Sequence, residues 1–583
     1  MQQGSDQVRY EPDERCPLAV SVVASFQGVL LVLTPMVTAV TTTALVAGQS
    51  DAYLIWAAFV AFLVCGMITA LQAARVWRFG TGHVLLTAAS VSLIVVSVPA
   101  LSAGGPGLLS AVIVAGSLFQ FALSAWLPLL RRIITPVVTG TALMLLAATV
   151  IPIAAGRVIA LPDGATQFSG PVAGLATLSV LALLGLRVAG GWRLWVPIIA
   201  IGAGCVVSIP YGLYDFRLVA QAQWVGVPGV WFPDFQIPEA SAVVALMPIA
   251  IIVLMINGIK NMGDSVVVQR LSRRSPPATD YRLVQGSLNA NGLGVLLSGL
   301  AGSPPTTINS ATSGSLVNLT GVASRNVGYI AGAMLILLAF SPKLTACLLI
   351  IPGPVMGAYL LGVMGTYIVE GIRTVAQDGL DHRKSLMVGL AFSFGLALEN
   401  SDVIASLPGS DWLQFLDNGL TSGTAALVLM TWFSELMRPR ARRLQVPLSE
   451  DALLEIDGFM QQAAAKVRWD ESATQRLRSV GEETLWSLLQ SMDGTEPGTP
   501  RRLTIIARPG SGGMELEFFS SLEGQNLQDR LAYLSDEVAL ESEASFRLLH
   551  HYAQSVRHQK YHGVDVVKVV VAADADRSAG IAQ

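Results

Sequence analysis

A few polar residues interrupt the apolar stretches of this chain, and their types suit the binding of a small solute. Lys260, Asn261 and Asp264 stand together at the end of an apolar run, 240–262. A charged side chain at mid-membrane costs at least ~2.5–3.5 kcal/mol on insertion scales, so a lysine at that depth points to function. Its ammonium would favour an anionic or acceptor-rich ligand, where a carboxylate would choose ring N–H donors. A second reading stays open: Lys260 snorkels to the nearby cytoplasmic end of the run, or neutralises Asp264 one helical turn away. Asn261 and Asp264 could fix this run against Lys260 or supply a group that titrates in proton coupling. Thr312, Ser313, Gly314 and Ser315 open another helical run. Free backbone N–H groups and short hydroxyls there hold an anion or a carbonyl oxygen, although Ser and Thr also serve as ordinary N-caps. Ser90, between Ala89 and Val91, takes the mirror position earlier in the chain, where a small residue also permits close helix packing. Gln27 and Asn257 suit interhelical hydrogen bonds as well as ligand contacts.

Such residues need a membrane scaffold, and the composition supplies one. Of 583 residues 52% are hydrophobic and 13% charged, and mean hydropathy is +0.57. A span needs roughly 20 apolar residues. Apolar runs fall at 18–46, 53–73, 83–98, 108–129, 133–153, 172–186 and 194–210, then at 240–262, 283–301, 311–319, 327–340, 355–369, 385–398 and 420–437. That is seven in each half. Basic residues such as Arg75, Arg78, Arg131, Arg132, Arg187, Arg193, Arg270, Arg273, Arg274, Arg325, Arg373, Lys384, Arg438 and Arg440 occupy alternate loops, which places both termini in the cytoplasm. The opposite loops hold Asp51, Asp163, Asp215, Glu399 and Asp402.

Two segments are too short or too interrupted for plain spans: 86–93 and 303–319. They occupy equivalent places in the two halves, the pattern of an inverted repeat whose substrate site lies where half-helix N-termini meet. The first seventeen residues lack a basic region leading into a short apolar core, so they read as a cytoplasmic leader and not a cleaved signal. Cys16, Cys65, Cys205 and Cys347 are widely separated, which implies neither a disulfide framework nor a metal site. The formal charge of −3 is spread over loops and tail and suggests no nucleic acid.

Beyond residue 437 the composition becomes that of a soluble α/β module, with helical runs at 449–466 and 473–491 and strand-like runs at 503–507, 514–519 and 564–571. The helix bearing Gly481-Glu482-Glu483-Thr484-Leu485-Trp486-Ser487 faintly resembles the histidine-kinase-like ATPase fold. Ser487 stands where that fold has a metal-binding Asn, and Leu522-Glu523-Gly524-Gln525 replaces its Gly-rich Asp motif. That combination implies a degenerate, regulatory or interaction role. His550, His551 and His558 read as solvated surface, lacking partners at ligand spacing.

Several strings in the second half resemble the nucleobase–ascorbate transporter (xanthine/uracil permease) family. They are Gly263-Asp264, taken as the end of the eighth span, then Gly302-Ser303-Pro304-Pro305-Thr306-Thr307, Leu319-Thr320-Gly321-Val322-Ala323-Ser324-Arg325, and Ile351-Pro352-Gly353-Pro354-Val355-Met356-Gly357. The first half agrees more loosely through Gln27, Ala88-Ala89-Ser90-Val91 and Pro136-Val137-Val138-Thr139-Gly140. The resemblance covers about residues 18–437. It implies fourteen spans in a seven-plus-seven inverted repeat of core and gate domains, elevator-like movement, dimerisation through the gate and proton-coupled uptake of uracil, xanthine, urate or related bases. Departures fall on the ligand positions. The acidic residue four positions before the Asp is here Lys260, the tenth-span Gln/Glu-Asn pair is Thr312-Ser313, and the third-span Phe is Val91.

Together these readings describe an all-α polytopic membrane protein of the bacterial inner membrane: leader 1–17, transporter domain 18–437 with repeats at about 18–210 and 240–437, and a cytoplasmic α/β domain at 438–583. The expected function is secondary transport of a nucleobase or similar heterocycle, with no enzymatic activity and no cofactor. The expected partners are a small-molecule substrate, protons, membrane lipid, a second copy of the chain and a regulatory protein at the C-terminal domain. Two rivals are an anion transporter or exchanger on the same fold, and a membrane sensor signalling through its tail. The substrate-binding residues expected are Ala89, Ser90, Val91, Lys260, Asn261, Asp264, Thr312, Ser313 and Gly314.

Overall fold

A computed structural model describes residues 8–130, 135–161, 166–188, 195–214, 216, 219–220, 222–228, 238–274, 281–308, 310–377, 382–399, 418–436, 442–490, 501–509, 513–522, 552–553, 555–561 and 564–572. Arg131, Arg132, Asp163, Arg193, Asp215, Asp402, Arg438, Arg440, His550 and His551 lie outside the described residues, as does the stretch Glu523-Gly524-Gln525. The chain divides into two compact units, 1–432 and 433–583.

The first unit opens with α1 (Leu18–Val46), α2 (Asp51–Ala74), strand β1 (Thr87–Ala89), α3 (Ile94–Leu130), α4 (Pro136–Ile159), α5 (Ser169–Arg187) and α6 (Val196–Ser208). It continues with α7 (Ala240–Leu271), α8 (Tyr281–Leu300), strand β2 (Thr306–Ile308), α9 (Ser310–Thr320), α10 (Arg325–Ala339), α11 (Pro342–Leu349), α12 (Gly353–Gln377), α13 (His382–Glu399) and α14 (Gly419–Leu436). Among the described residues, seven helices are long and apolar enough to cross a membrane. Others are shorter or bent, as α10 and α11 are, meeting at 87°. The runs read at 83–98 and 108–129 feed the two arms of α3, which breaks where Gly105 adopts φ +62° and Pro106 follows.

Close helix crossings rest on glycine. A Cβ on Gly66 of α2 would lie 2.7 Å from the Gly332 carbonyl of α10, and one on Gly332 would lie 2.6 Å from that of Gly66. Small residues let the backbones meet where no water is expelled to drive association.

Two expectations are corrected here. The membrane unit is not purely helical, because β1 and β2 pair antiparallel in the register Thr87↔Ile308, Ala88↔Thr307 and Ala89↔Thr306. Both segments are broken helices buried in protein, and pairing satisfies backbone groups that lipid could not. Nor do Gly263 and Asp264 end a helix. α7 runs on to Leu271 because Met262 and Val266 bury against Val284 and Leu288 of α8, outweighing the ~1 kcal/mol cost of an internal glycine.

Residues of the leader form a strap instead of a free tail. Arg9 and Tyr10 donate backbone N–H bonds to the Gly321 carbonyl at 2.7 and 3.1 Å, and Ala323 donates to the Tyr10 carbonyl at 2.8 Å. Val8 packs against Val317 and Ala323. The Arg274 guanidinium, just past α7, donates to both Glu14 carboxylate oxygens at 2.8 Å and to the carbonyls of Val8 and Arg9 at 3.1 and 2.7 Å. Arg273 and Arg325 pair with Asp13. The backbone N–H of Glu11, and then Arg274, hold the Glu14 carboxyl below the usual carboxylate range.

The second unit is a five-stranded antiparallel sheet, order β3-β4-β5-β7-β6, from β3 (Arg442–Pro447), β4 (Arg501–Pro509), β5 (Gly513–Leu522), β6 (Ser555–Tyr561) and β7 (Val564–Ala572). Helices α15 (Leu453–Val467) and α16 (Glu471–Gln490) share its core. Leu503, Ile505 and Ala507, Met514, Leu516 and Phe518, and Val567, Val569 and Val571 all point into that core with strand periodicity. β3 and β6 are additions to the sequence reading; Arg442-Arg443 and Arg557-His558 make them too polar to stand out as strands.

Candidate functional site

The strand pair is buried in the first unit, held by two hydroxyls and a backbone bond. The Thr87 hydroxyl donates to the Cys65 carbonyl at 2.7 Å, the Thr87 N–H donates to the Thr69 hydroxyl at 3.1 Å, and the Ser90 N–H donates to the Pro305 carbonyl at 2.9 Å. Across the pair, the Leu86 N–H donates to the Ser313 hydroxyl at 2.9 Å. That contact ties the entry of β1 to the first turn of α9, so Ser313 is neither a simple N-cap nor a free ligand group. Gly314 packs toward α7, where an added Cβ would meet Leu271 at 3.2 Å. Thr312 is half-buried, and Ala89 and Val91 are buried beside Ser90.

Along α7 the residues Asn257, Lys260, Asn261 and Asp264 recur at one-turn spacing and form a single stripe. Lys260 is not near the helix end, as the shorter run 240–262 suggested, because α7 continues for several turns beyond it. The ammonium turns toward α12, with Nζ 3.4 Å from the Tyr367 hydroxyl and 4.7 Å from the ring centroid. Asn261, expected at the membrane boundary, is 0% exposed. Its Oδ1 accepts from the Thr307 hydroxyl of β2 at 3.3 Å, and its Nδ2 has no hydrogen-bond partner among the described residues. Asn257 repeats the arrangement against the first half: its Oδ1 accepts from Ser92 at 2.9 Å, Ser92 is 2.8 Å from the Ser90 hydroxyl, and Nδ2 is again unpartnered. Asp264 is half-buried one turn past Lys260.

Thus the structure joins Ser90 to α7 through Ser92 and Asn257, and joins β2 to α7 through Thr307 and Asn261. Thr312, Ser313 and Gly314 stay on the α9 side. Gln27 lines a small cleft with Leu31, Leu316, Leu319 and Trp195 instead of meeting the stripe. Sequence reasoning missed Ser92, Thr307 and Tyr367 as site residues and left Asn257 open between an interhelical hydrogen bond and a ligand contact. The spacing of Asn257 from Asn261 was the available signal, whereas Tyr367 is brought in by tertiary packing alone.

Arg157 near the end of α4 was also missed. It is 9% exposed, and a Cβ on Gly353 would lie 3.2 Å from its guanidinium carbon. The glycine within Pro352-Gly353-Pro354 makes room for that planar group.

A family model described as the permease family, that of the xanthine/uracil permeases, matches residues 20–404. A Clostridium perfringens protein named as a purine permease is 30% identical over 63% of this chain and 79% of its own length. The xanthine permease XanQ of Escherichia coli is 25% identical over 73% of this chain and 93% of its own. The uric acid permease PucK of Bacillus subtilis is 27% identical over 65% and 87%. With the family model matching most of the first unit, the chain belongs to the xanthine/uracil permease family of nucleobase–ascorbate transporters, a multi-pass membrane carrier and not an enzyme.

Proposed function

We propose that this carrier moves a nucleobase, of the purine class named in its relatives, through a site bounded by the β1–β2 pair and the α7 stripe. The observation that carries the reading is the joining of both broken segments to α7 by side-chain amides, Asn257 to Ser92 and Asn261 to Thr307. An element bonded to both halves of a crossing is where a solute can be held and moved as one body. Ala89, Ser90 and Val91 then form the first-half wall of the site, Lys260, Asn261 and Asp264 its α7 face, and Thr312, Ser313 and Gly314 the α9 shoulder.

The same reading takes the helices as fourteen spans in a seven-plus-seven inverted repeat, with α1–α3 and α7–α10 as core and α4–α6 and α12–α14 as gate. Packing of α2 on α10 and of α3 on α8 supports it, since the two pairs exchange under that repeat. We place the leader and residues 438–583 in the cytoplasm, treat uptake as proton-coupled with elevator-like motion of core past gate, and take the carrier to work as a dimer in the bacterial inner membrane. The C-terminal unit serves as a regulatory or interaction module.

The test is uptake of radiolabelled xanthine, urate, uracil and adenine into proteoliposomes with and without an imposed proton gradient. Saturable uptake of at least one base is expected, increased when the trans side is alkaline. Absence of uptake for every base, with sulfate or bicarbonate transported instead, overturns the reading in favour of an anion carrier.

A further inference from the structure

We infer that the α7 stripe selects the anionic, deprotonated form of its heterocyclic ligand, with Lys260 as the selecting residue and Tyr367 as the group that the ligand displaces from it. This rests on the nucleobase reading above and adds the charge state of the cargo.

The argument starts from which hydrogen-bonding groups remain. A lysine ammonium has three donors and no acceptor. The carbonyl oxygens of Asn257 and Asn261 are both engaged by hydroxyls, while both Nδ2 groups are unpartnered. The two residues are 4% and 0% exposed, so water does not readily serve these donors. The Thr306 hydroxyl of β2, also buried, has no partner among the described residues either. A buried donor without an acceptor is costly and rare in native proteins, and its presence beside a cation points to a ligand that brings acceptors. A neutral pyrimidine or purine offers ring N–H donors alongside its carbonyls, and those donors would face an ammonium and two amide NH₂ groups. Deprotonation removes one such donor, adds an acceptor and supplies the charge that Lys260 complements.

The ammonium is not isolated in the structure. Tyr367 covers it through the ring face and the hydroxyl, and Asp264 and Glu370 are the nearest negative charges, the first on α7 and the second on α12. The other ionisable groups on the helices that meet α7 are Tyr359 and Arg373 on α12, Tyr281 and Arg282 at the start of α8 and Arg157 near the end of α4; α3 and α9 bring none. A charge-assisted bond to an anion is stronger than contact with a neutral ring, so an anionic base competes for Lys260 where a neutral one does not. Because Lys260 is on α7 and Tyr367 on α12, that exchange would release one helix from the other as the ligand seats.

The test uses the purified full-length chain and ligand-dependent thermal shift from mildly acid to mildly alkaline pH. Urate is ionised across this range, xanthine becomes ionised within it, and hypoxanthine and uracil stay largely neutral. Urate is expected to bind throughout, and xanthine about tenfold tighter once deprotonated. Lys260→Arg retains that pH dependence and Lys260→Met abolishes it, while the wild-type xanthine profile needs no variant to fold. Uracil or hypoxanthine binding as tightly as urate at every pH overturns the inference and leaves the nucleobase reading standing. Stabilisation by sulfate with none by any base overturns both.

Discussion

The leader strap and the α7 stripe are both polar, and both join segments far apart in sequence, yet their hydrogen bonds are arranged in opposite ways. In the strap, the Arg274 guanidinium reaches Glu14 and two carbonyls, and Gly321 accepts from two backbone N–H groups. In the stripe, two buried amides keep their donors unengaged. A saturated network holds a structure in one state, whereas an unsaturated one leaves interactions to be completed by a ligand. On the proposed reading the strap belongs to stability and the stripe to binding, and variants in the two places should separate these quantities.

The largest effect is expected at Asn261. Replacing it with leucine removes an unpartnered buried donor, which offsets the loss of a 3.3 Å acceptor for the part-buried Thr307 hydroxyl, so the net change in folding energy should be small. A hydrogen bond to a charged ligand contributes about 1.5–3 kcal/mol. Uptake of the preferred base should then fall roughly tenfold to a hundredfold, while the melting temperature of the empty carrier stays close to that of wild type. A large drop in melting temperature with unchanged affinity would place Asn261 with the strap and erase the contrast.

The opposite profile is expected from deleting residues 1–14. The deletion removes the backbone bonds to Gly321 and Ala323 and exposes Val317 and Ala323, so the melting temperature should fall by several degrees. Substrate affinity should hold, because the strap makes no contact with the stripe among the described bonds. Equal losses of affinity and stability would mean that the C-terminal ends of α7 and α9 set the geometry of the site.

These two regions were not equally legible from the sequence. The long helices were: α1 spans the run read at 18–46, since an unbroken apolar stretch has few alternatives. The broken segments were legible as interruptions, but their pairing was not, because three-residue strands carry no periodicity and Thr87 and Ile308 meet only in the tertiary structure. Lys260 was legible as an anomaly, and its contact with Tyr367 was not. The strap was missed because Glu11, Asp13 and Glu14 look like solvated charge until Arg273, Arg274 and Arg325 are brought beside them. The end of α7 was misplaced since a Gly-Asp pair reads as a stop, and only burial against α8 carries the helix past it.

A smaller and more local effect tests whether the strap acts through its arginines. Gly82 adopts φ +73°, and a Cβ there would lie 3.0 Å from Nη2 of Arg325, whose Nε donates to the Gly82 carbonyl at 3.0 Å. Gly82→Ala should cost about 1–2 kcal/mol from the left-handed backbone alone, with further loss as Arg325 is pushed from Asp13. Unfolding by heat should show it, and combining the change with the leader deletion should give less than the sum of the two. Full additivity would mean that Arg325 stabilises the Gly82 turn independently of the leader.

The smallest effect is a dependence on acidity. The Glu14 carboxyl is held below its ordinary range by the Glu11 N–H and by Arg274, so its contribution has a defined sign. A carboxylate depressed on folding stabilises the folded chain above its unfolded pKa and loses that contribution as pH falls through its folded value. The strap should thus be fully docked at neutral pH and loosen only in acid. Because the pair is exposed, screening keeps the effect modest and makes it weaker still at high salt. Hydrogen exchange at the Arg9 and Tyr10 amides reads it directly: protection lost on acidification in wild type, and already reduced at neutral pH in Glu14→Gln. Protection that is equal in both proteins across that range would show that the backbone bonds to Gly321 hold the strap without the ion pair.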